Sequence, residues 1–228
     1  MAEPDAAARI RDAATIILVR ERSGVPQVLM GQRGAKAVFM PDKFVFPGGA
    51  LDAEDTALAQ EAPEDAETRA RLLVRSNPEV ARALPYTAVR ELWEETGIML
   101  GRADAGAAAR PVPPGWAGFY ARGVVPDVSA LRLVFRAITP PGRPRRFDAR
   151  FFLYETGGEW ADDAHTLEND GELRHLQWLD IAAARQMPLP FITEVVLSEM
   201  EARLAAPGEA RPVPFFDHAE DGSHFRLL

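Results

Sequence analysis

Cysteine is absent from the 228 residues of this sequence. Disulfide bonds, thiolate metal sites and cysteine nucleophiles are therefore all excluded, and the composition fits a cytoplasmic protein. The sequence also lacks any apolar run near the roughly 20 residues that a membrane-spanning helix needs. Residues 1–12 carry too many charges for a signal peptide, so we expect neither membrane insertion nor export.

An excess of positive charge is missing as well. The net charge is −8, which gives the chain no general attraction to nucleic acid or to anionic membranes. An anionic substrate would have to be met by a local group of basic residues. With 47% hydrophobic and 26% charged residues, the composition is that of an ordinary globular protein, and the length predicts a single domain over residues 1–228.

Three glutamates lie close together in the segment 88–99. At about 100° per residue, Glu91, Glu94 and Glu95 share roughly a 100° arc of a helix, while the opposite side is apolar. Gly97 can adopt the left-handed conformation that ends a helix. Neighbouring carboxylates repel one another, and a divalent cation, which prefers oxygen ligands, would remove that cost. The segment indicates a metal site, with a solvated glutamate-rich helix face as the alternative.

The order of residues in 90–98, Arg-Glu-Leu-Trp-Glu-Glu-Thr-Gly-Ile, resembles the second half of the Nudix box. The segment 46–52, Phe-Pro-Gly-Gly-Ala-Leu-Asp, resembles the entry to its first half. Six residues after Gly49, where the family has a glutamate, stands Asp55, with Glu54 one position earlier. The opening carboxylate of the box is therefore Asp55, Glu54 or neither.

An insertion separates the two halves of the box. Residues 56–89 stand where the family has seven residues, so 27 are inserted, about 56–85. Helices are predicted at 66–74 and 78–84. We interpret the insertion either as a surface elaboration that packs on the core and is separable from the site, or as a lid or homodimer element that shapes substrate choice. A split box with a Gly-Gly-Ala-Leu-Asp start is similar to a Nudix subgroup that includes peroxisomal acyl-coenzyme A diphosphatases.

Apolar patterns along the chain indicate an α/β protein. Helices are predicted at 88–96, 181–186 and 191–204, and strands at 13–19, 26–30, 44–46, 131–138, 150–154 and 173–179. The resemblance adds a topology that composition could not have selected: it implies the Nudix α/β/α sandwich, with a mixed β-sheet and an inserted helical segment.

The resemblance also implies an activity, the hydrolysis of a diphosphate linked to a further moiety, and a set of ligands. Mg²⁺ or Mn²⁺ would be held by Glu91, Glu94, Glu95 and the carbonyl of Gly48. Arg90 is expected to pair with a carboxylate and so fix its rotamer. Hydrolysis needs cations on the phosphates and a base for the attacking water, and this cluster is where both would lie.

The general base stays open between two regions of the sequence. One candidate is a glutamate of the helix, foremost Glu91. The other is an acidic residue ahead of the predicted strand 173–179, because some family members use a residue from this region to reach the metal or activate water. Glu172 is the main candidate there, with Glu168 as a further one, and solvated loop carboxylates are the alternative for both.

Arginines supply the candidate phosphate-binding residues. Arg143, Arg145 and Arg146 occupy four positions in a loop between two predicted strands, and arginine binds phosphate oxygens in a bidentate manner. Arg33 follows the second strand, where the resemblance implies a basic residue facing the substrate. Solvated loop arginines are the alternative for all four.

Coenzyme A or acyl-coenzyme A, cleaved to 3′,5′-ADP and a phosphopantetheine product, is the expected substrate. ADP-ribose, nucleotide sugars and other nucleoside diphosphate derivatives are the alternative. A non-catalytic nucleotide-binding module is the rival from another class.

Overall fold

A computed structural model describes residues 9–35, 37, 40–60, 62–156, 173–218 and 222–228. The strands in this part of the chain are β1 (Ile10–Arg22), β2 (Val25–Arg33), β3 (Phe44–Val45), β4 (Gly48–Ala50), β5 (Gly101–Ala103), β6 (Val124–Pro126), β7 (Arg132–Ile138), β8 (Arg146–Glu155), β9 (Leu173–Asp180), β10 (Pro214–Asp217) and β11 (His224–Leu227). The helices are α1 (Ala53–Leu58), α2 (Ala66–Leu72), α3 (Pro78–Thr96), α4 (Pro114–Ala121), α5 (Ile181–Ala184) and α6 (Phe191–Ala205), with a short 3₁₀ turn at Ala107–Ala109.

Nine of the described strands form one mixed sheet. Its order is β11-β10-β7-β8-β1-β2-β3, with β4 paired to β1 and β9 paired to β2. Strand β1 runs parallel to β8, and β10 runs parallel to β7, whereas the other pairs are antiparallel. The predicted mixed sheet is thereby confirmed. Strands β5 and β6 form a separate antiparallel pair.

Helices cover both faces of the sheet, and the central strand β1 shows why. Its successive side chains point to opposite faces. Ile16 and Leu18 pack in a core cluster with α3, α1 and α4, whereas Ile17 and Val19 pack in a second cluster with α5 and α6. A continuous apolar run is what a strand buried on both faces requires. The chain is therefore an α/β/α sandwich, as expected.

Helix α3 is longer than the sequence predicted. Asn77 caps its start by accepting a hydrogen bond from the backbone N–H of Glu79, at 2.8 Å, and Gly97 ends it in the left-handed conformation. The predicted helix 78–84 is not separate, because α3 continues through Pro85. An interior proline costs a helix about 3 kcal/mol. Burial of most side chains between Ala81 and Val89 offsets that cost here.

The inserted segment is built into the core. Leu72 of α2 is buried in the α3-side cluster, and the buried Thr68 hydroxyl accepts a hydrogen bond from the backbone N–H of Leu133, at 3.0 Å. The buried Arg136 of β7 donates to the carbonyl of Val74, at 2.6 Å. The insertion therefore packs on the core, as the first interpretation expected, and these contacts with the sheet argue against its being separable. Its polar groups pair with the sheet itself.

Candidate active site

The three glutamates of α3 face the start of β4. Glu95 is 5% exposed, and the side chains of Glu91 and Glu94 are 15% and 41% exposed. Glu95 Oε2 accepts a hydrogen bond from the backbone N–H of Gly48, at 2.9 Å. Gly48 therefore contacts the cluster through its backbone N–H, whereas the resemblance implied a role for its carbonyl oxygen. Glu95 joins the end of α3 to the Gly-Gly strand.

Arg90 connects the glutamates to one another. Its Nη1 lies 2.9 Å from Glu91 Oε1 and 2.8 Å from Glu94 Oε2. Its Nε and Nη2 donate to the two carboxylate oxygens of Asp55, at 2.8 and 3.0 Å, and Nη2 also donates to the carbonyl of Ala50, at 3.1 Å. Five contacts match the five N–H groups of a guanidinium. Arg90 therefore holds two cluster carboxylates in place.

Asp55 anchors Arg90 from the other side. It is completely buried, at the third position of α1. Besides Arg90, it accepts hydrogen bonds from the hydroxyl of Thr87 at 2.9 Å, the indole Nε1 of Trp116 at 3.2 Å and the backbone N–H of Asp52 at 3.1 Å. Burial alone would lower the pKa of Arg90, but its carboxylate partners raise it, so the guanidinium stays charged. A charge buried in this way needs such partners.

The alternative candidate, Glu54, points elsewhere. Its carboxylate accepts a hydrogen bond from the backbone N–H of Gly115 at the start of α4, at 2.6 Å, in an exposed position. Of the two acidic residues near the opening position of the box, Asp55 is the one that contacts the cluster. The sequence did not reveal the roles of Thr87 and Trp116, because nothing in their spacing connects them to position 55.

The surroundings of the Glu91 carboxyl group shift its pKa. Burial raises its pKa to about 7, the charge of Arg90 opposes that rise, and the charge of Glu94 adds to it. Gly49 makes room for this side chain, since a Cβ there would lie 2.4 Å from Glu91 Oε1. A buried carboxylate with a raised pKa lacks compensating positive charge. A bound divalent cation would supply positive charge and so stabilise the ionised form of Glu91.

The carboxylates are not arranged around a metal position. Within the described ranges, no group of three or more acidic or histidine side chains has the geometry of a metal site. Arg90 engages Glu91 and Glu94, and Glu95 bonds to Gly48. The donor set nevertheless consists of carboxylate oxygens, which suit Mg²⁺ and Mn²⁺. Glu91, Glu94 and Glu95 therefore suit such an ion, because they offer carboxylate oxygens and because the negative charge of Glu91 is not fully compensated.

A cleft of about 1200 Å³ opens beside these glutamates. All three line it, together with cationic side chains on its other walls: Arg11, Arg33, Lys43, Arg143 and Arg145. The cleft also has an apolar part, to which Phe46, Ile138, Phe147, Phe151, Ile192 and Phe216 contribute. Negative, positive and apolar walls therefore share one opening.

Three of the four arginines predicted to bind phosphate line this cleft. Arg33 is the last residue of β2, and Arg143 and Arg145 lie in the loop between β7 and β8. Arg146 does not belong with them. It is buried, and it donates to the backbone carbonyls of Thr139 at 2.9 Å and His218 at 2.5 Å. Its role in the structure is to hold the strand ends together.

Two predicted acidic residues, Glu168 and Glu172, lie outside the described residues. The cations Arg11 and Lys43 are lining residues that the sequence did not single out. The alternation of side chains along a strand predicts only that Arg11 shares a face of β1 with Ala13 and Thr15. The structure shows that all three line the cleft.

The sandwich, the carboxylate helix and the adjoining Gly-Gly strand together define a Nudix-type protein. No family model matches the chain. A crystal structure of a NUDIX hydrolase from Alicyclobacillus acidocaldarius is 28% identical, covers 84% of this chain and 90% of its own, and superposes with a TM-score of 0.62.

Two curated relatives agree with that structure. One, described as nudix hydrolase 7 of Caenorhabditis elegans, is 29% identical over 75% of this chain and 51% of its own length. The acyl-coenzyme A diphosphatase NUDT19 of Gallus gallus is 27% identical over 74% of this chain and 60% of its own length. The chain thus spans about half to three fifths of these relatives. In sequence and in fold, the chain is similar to Nudix hydrolases.

No helix in the described part of the chain is both long enough and apolar enough to cross a membrane.

Proposed function

We propose that the protein is a metal-dependent hydrolase of diphosphates linked to a second moiety, with coenzyme A or acyl-coenzyme A as its preferred substrate. The observation that carries this proposal is the cleft that Glu91, Glu94 and Glu95 line together with a group of cationic side chains. Cleavage of a diphosphate requires both cationic and acidic side chains. The negative charge of the diphosphate must be neutralised, and the attacking water must meet a base.

Glu91, Glu94 and Glu95 are the residues that would hold Mg²⁺ or Mn²⁺, with the backbone of Gly48 beside them. A bound divalent cation would supply charge neutralisation at the diphosphate and would acidify a water molecule. Arg90 positions two of these carboxylates, and Asp55 positions Arg90. That chain of contacts keeps the three carboxylates together beside Gly48.

Glu91 is our candidate for the general base. A base works best when its pKa lies near the working pH, and burial raises the pKa of Glu91 to about 7. Glu172 remains the second candidate, on the strength of its position in the sequence alone. A pair of Glu91→Gln and Glu172→Gln variants, compared by turnover number at saturating Mg²⁺, would separate the two.

The substrate within this class follows from charge. Coenzyme A carries a diphosphate and a 3′-phosphate, and a chain of net charge −8 must gather its cations locally to bind them. Arg143 and Arg145 lie in one loop at the cleft, and Arg11, Arg33 and Lys43 line its other walls. The name of one relative, acyl-coenzyme A diphosphatase, supports the same choice. ADP-ribose and nucleotide sugars carry no 3′-phosphate.

The test is a substrate panel in Mg²⁺ or Mn²⁺, with products identified by mass. It contains coenzyme A, acyl-coenzyme A, ADP-ribose, nucleotide sugars and dinucleoside polyphosphates. We expect 3′,5′-ADP from the first two, with kcat/KM above that of the others. Faster cleavage of ADP-ribose would refute the substrate assignment. Failure to cleave any of them would refute the hydrolase proposal.

A second experiment examines the arginine loop. Replacing Arg143 and Arg145 by alanine should raise KM for coenzyme A more than for dephospho-coenzyme A, since only coenzyme A has the 3′-phosphate. The matched control is Arg132→Ala, a half-exposed arginine that pairs with Glu155 and does not line the cleft. Equal effects on the two substrates would show that the loop does not recognise the 3′-phosphate.

A further inference from the structure

Four alanines form a continuous row across the sheet at the floor of the cleft. Ala50 of β4 pairs with Ala13 of β1, Ala13 pairs with Ala149 of β8, and Ala149 pairs with Ala137 of β7. Directly paired residues on neighbouring strands point to the same face of a sheet. All four alanines line the cleft, so the row is open to whatever occupies it.

Larger side chains border the row along β1 and β8. On one side, Arg11 pairs with Phe147, and on the other side Thr15 pairs with Phe151. All four of these residues also line the cleft. Each bordering row is two residues away along the strands, which is about 7 Å. The alanine row is therefore the bottom of a narrow trough that runs perpendicular to the strands.

The two ends of the trough differ in chemistry. At the β4 end, the carbonyl of Ala50 accepts a hydrogen bond from Arg90, at 3.1 Å, and Arg90 contacts Glu91 and Glu94, which line the same cleft. At the other end, Ala137 pairs with Phe216 of β10, which also lines the cleft. Neighbouring strands lie about 4.8 Å apart, so the trough extends about 14 Å from β4 to β7 and about 19 Å to β10. It leads from the carboxylate cluster to an aromatic side chain.

We propose that this trough binds a slender, uncharged chain attached to the diphosphate, extended away from the carboxylate cluster. The inference rests on the proposed hydrolase function and names the part of the substrate that the sheet accommodates. The trough floor carries methyl groups only, so a chain of methylene or amide groups can lie on it and bury apolar surface. A side chain larger than alanine at any of the four positions would occupy that space.

The length of the trough sets the length of the chain that it can hold. Three bonds of an extended chain advance about 3.8 Å, so about eleven bonds span 14 Å. The arm between the diphosphate and the far end of a coenzyme A molecule is a chain of this kind, uncharged and without rings.

The experiment uses alkyl esters of ADP, in which the terminal phosphate carries an ethyl, hexyl, decyl or hexadecyl chain. Each tests the same diphosphate and releases AMP. For the parent protein, KM should fall by up to about fourfold per methylene, and the fall should stop at about eleven chain bonds. Cleavage of all esters with one common KM would overturn the trough, yet leave the hydrolase proposal intact. Cleavage of none would refute the hydrolase proposal.

Two variants place an obstruction at different distances along the trough. Ala149→Leu obstructs the trough two strands from β4, about 10 Å along it, and Ala137→Leu obstructs it about 14 Å along. Ala149→Leu should raise KM for the decyl ester at least tenfold and leave the ethyl ester within twofold. Ala137→Leu should affect only the longest esters. Equal effects of the two variants on all chain lengths would contradict the proposal.

A matched control distinguishes obstruction from general damage. Ala103→Leu adds the same side chain to an exposed position of β5, outside the large cleft. It should change no KM by more than twofold. Ala149→Ser keeps the trough open and should retain the chain-length dependence of the parent. If both leucine variants fail to fold, the KM series of the parent and of Ala149→Ser still decides the proposal, because only a trough of finite length gives a plateau.

Discussion

Replacing Glu91 by glutamine should make the metal-free protein more stable at pH 8. Burial raises the pKa of Glu91 to about 7, from an ordinary value of 4.5, and the attraction of Arg90 does not cancel that rise. A carboxyl whose pKa is higher in the folded state stabilises the fold while it is protonated. That contribution is complete below about pH 4.5 and is lost as the pH rises towards 7. Glutamine keeps the shape without the charge.

The size of the effect follows from the pKa difference. Each pKa unit corresponds to about 1.4 kcal/mol, so the difference between 4.5 and about 7 amounts to roughly 3 kcal/mol at pH 8. At pH 5 less than about 1 kcal/mol remains. For a chain of this size, 1 kcal/mol shifts the melting temperature by about 2–4 °C. We expect Glu91→Gln to melt about 6–12 °C above the parent at pH 8 and close to it at pH 5.

The assay is thermal unfolding of chelator-treated protein across this pH range, repeated with millimolar Mg²⁺. Mg²⁺ should stabilise the parent, because it binds the assembled carboxylates and not the unfolded chain. It should stabilise Glu91→Gln much less. At pH 8, Glu91→Gln should therefore be more stable than the parent in chelator and less stable than the parent in Mg²⁺. A useful control is Glu79→Gln, an exposed glutamate of α3 remote from the cluster.

Two outcomes would refute this reasoning. If Glu91→Gln were less stable than the parent in chelator at pH 8, its contact with Arg90 would outweigh the cost of burial. If Mg²⁺ stabilised both proteins equally, Glu91 would not take part in binding the ion.

Three further predictions concern the same cluster and the insertion. Glu94→Gln should lower kcat by at least about 100-fold at limiting Mg²⁺ with an unchanged melting temperature, as measured by steady-state kinetics, since it removes a charge but hardly changes volume. Asp55→Ala should lower the free energy of unfolding by about 3–5 kcal/mol in urea titrations, because it leaves Arg90 buried without its bidentate partner; a loss below 1 kcal/mol would contradict that role. Deletion of residues 57–83 should give insoluble or unfolded protein by circular dichroism, because the deletion removes Thr68, the hydrogen-bond acceptor of a buried backbone amide in β7; a folded deletion variant would show that the insertion is separable.

Local patterns were enough to predict most of the elements. The β-branched run 13–19 lies within β1, the predicted strand 173–179 lies within β9, and the helix predicted at 191–204 is α6 to within one residue. The glutamate spacing on α3 and the stop at Gly97 were equally local, since both depend on the period of a helix and on one left-handed residue. Even so, the helices predicted at 78–84 and 88–96 form one helix, because burial on both sides of Pro85 allows α3 to continue through it.

The contacts made by individual side chains depended on the tertiary structure. Arg145 and Arg146 are neighbours in the sequence, yet Arg145 lines the cleft, whereas Arg146, at the start of β8, is buried against the backbone carbonyls of Thr139 and His218. Asp55 and Glu54 are neighbours too, and only Asp55 reaches Arg90, because it lies on the side of α1 that packs against α3.

The alanine row is a further feature that depends on the tertiary structure and not on local sequence. Each of its members is an unremarkable alanine in the sequence, at positions 13, 50, 137 and 149. They share one surface only because β1 pairs in parallel with β8 while β4 and β7 pair in antiparallel registers. The register between β1 and β8 depends on contacts between residues more than a hundred positions apart, such as Ala13 and Ala149. A one-residue slip would turn every side chain of a strand to the other face, and no local pattern records which partner a strand will meet.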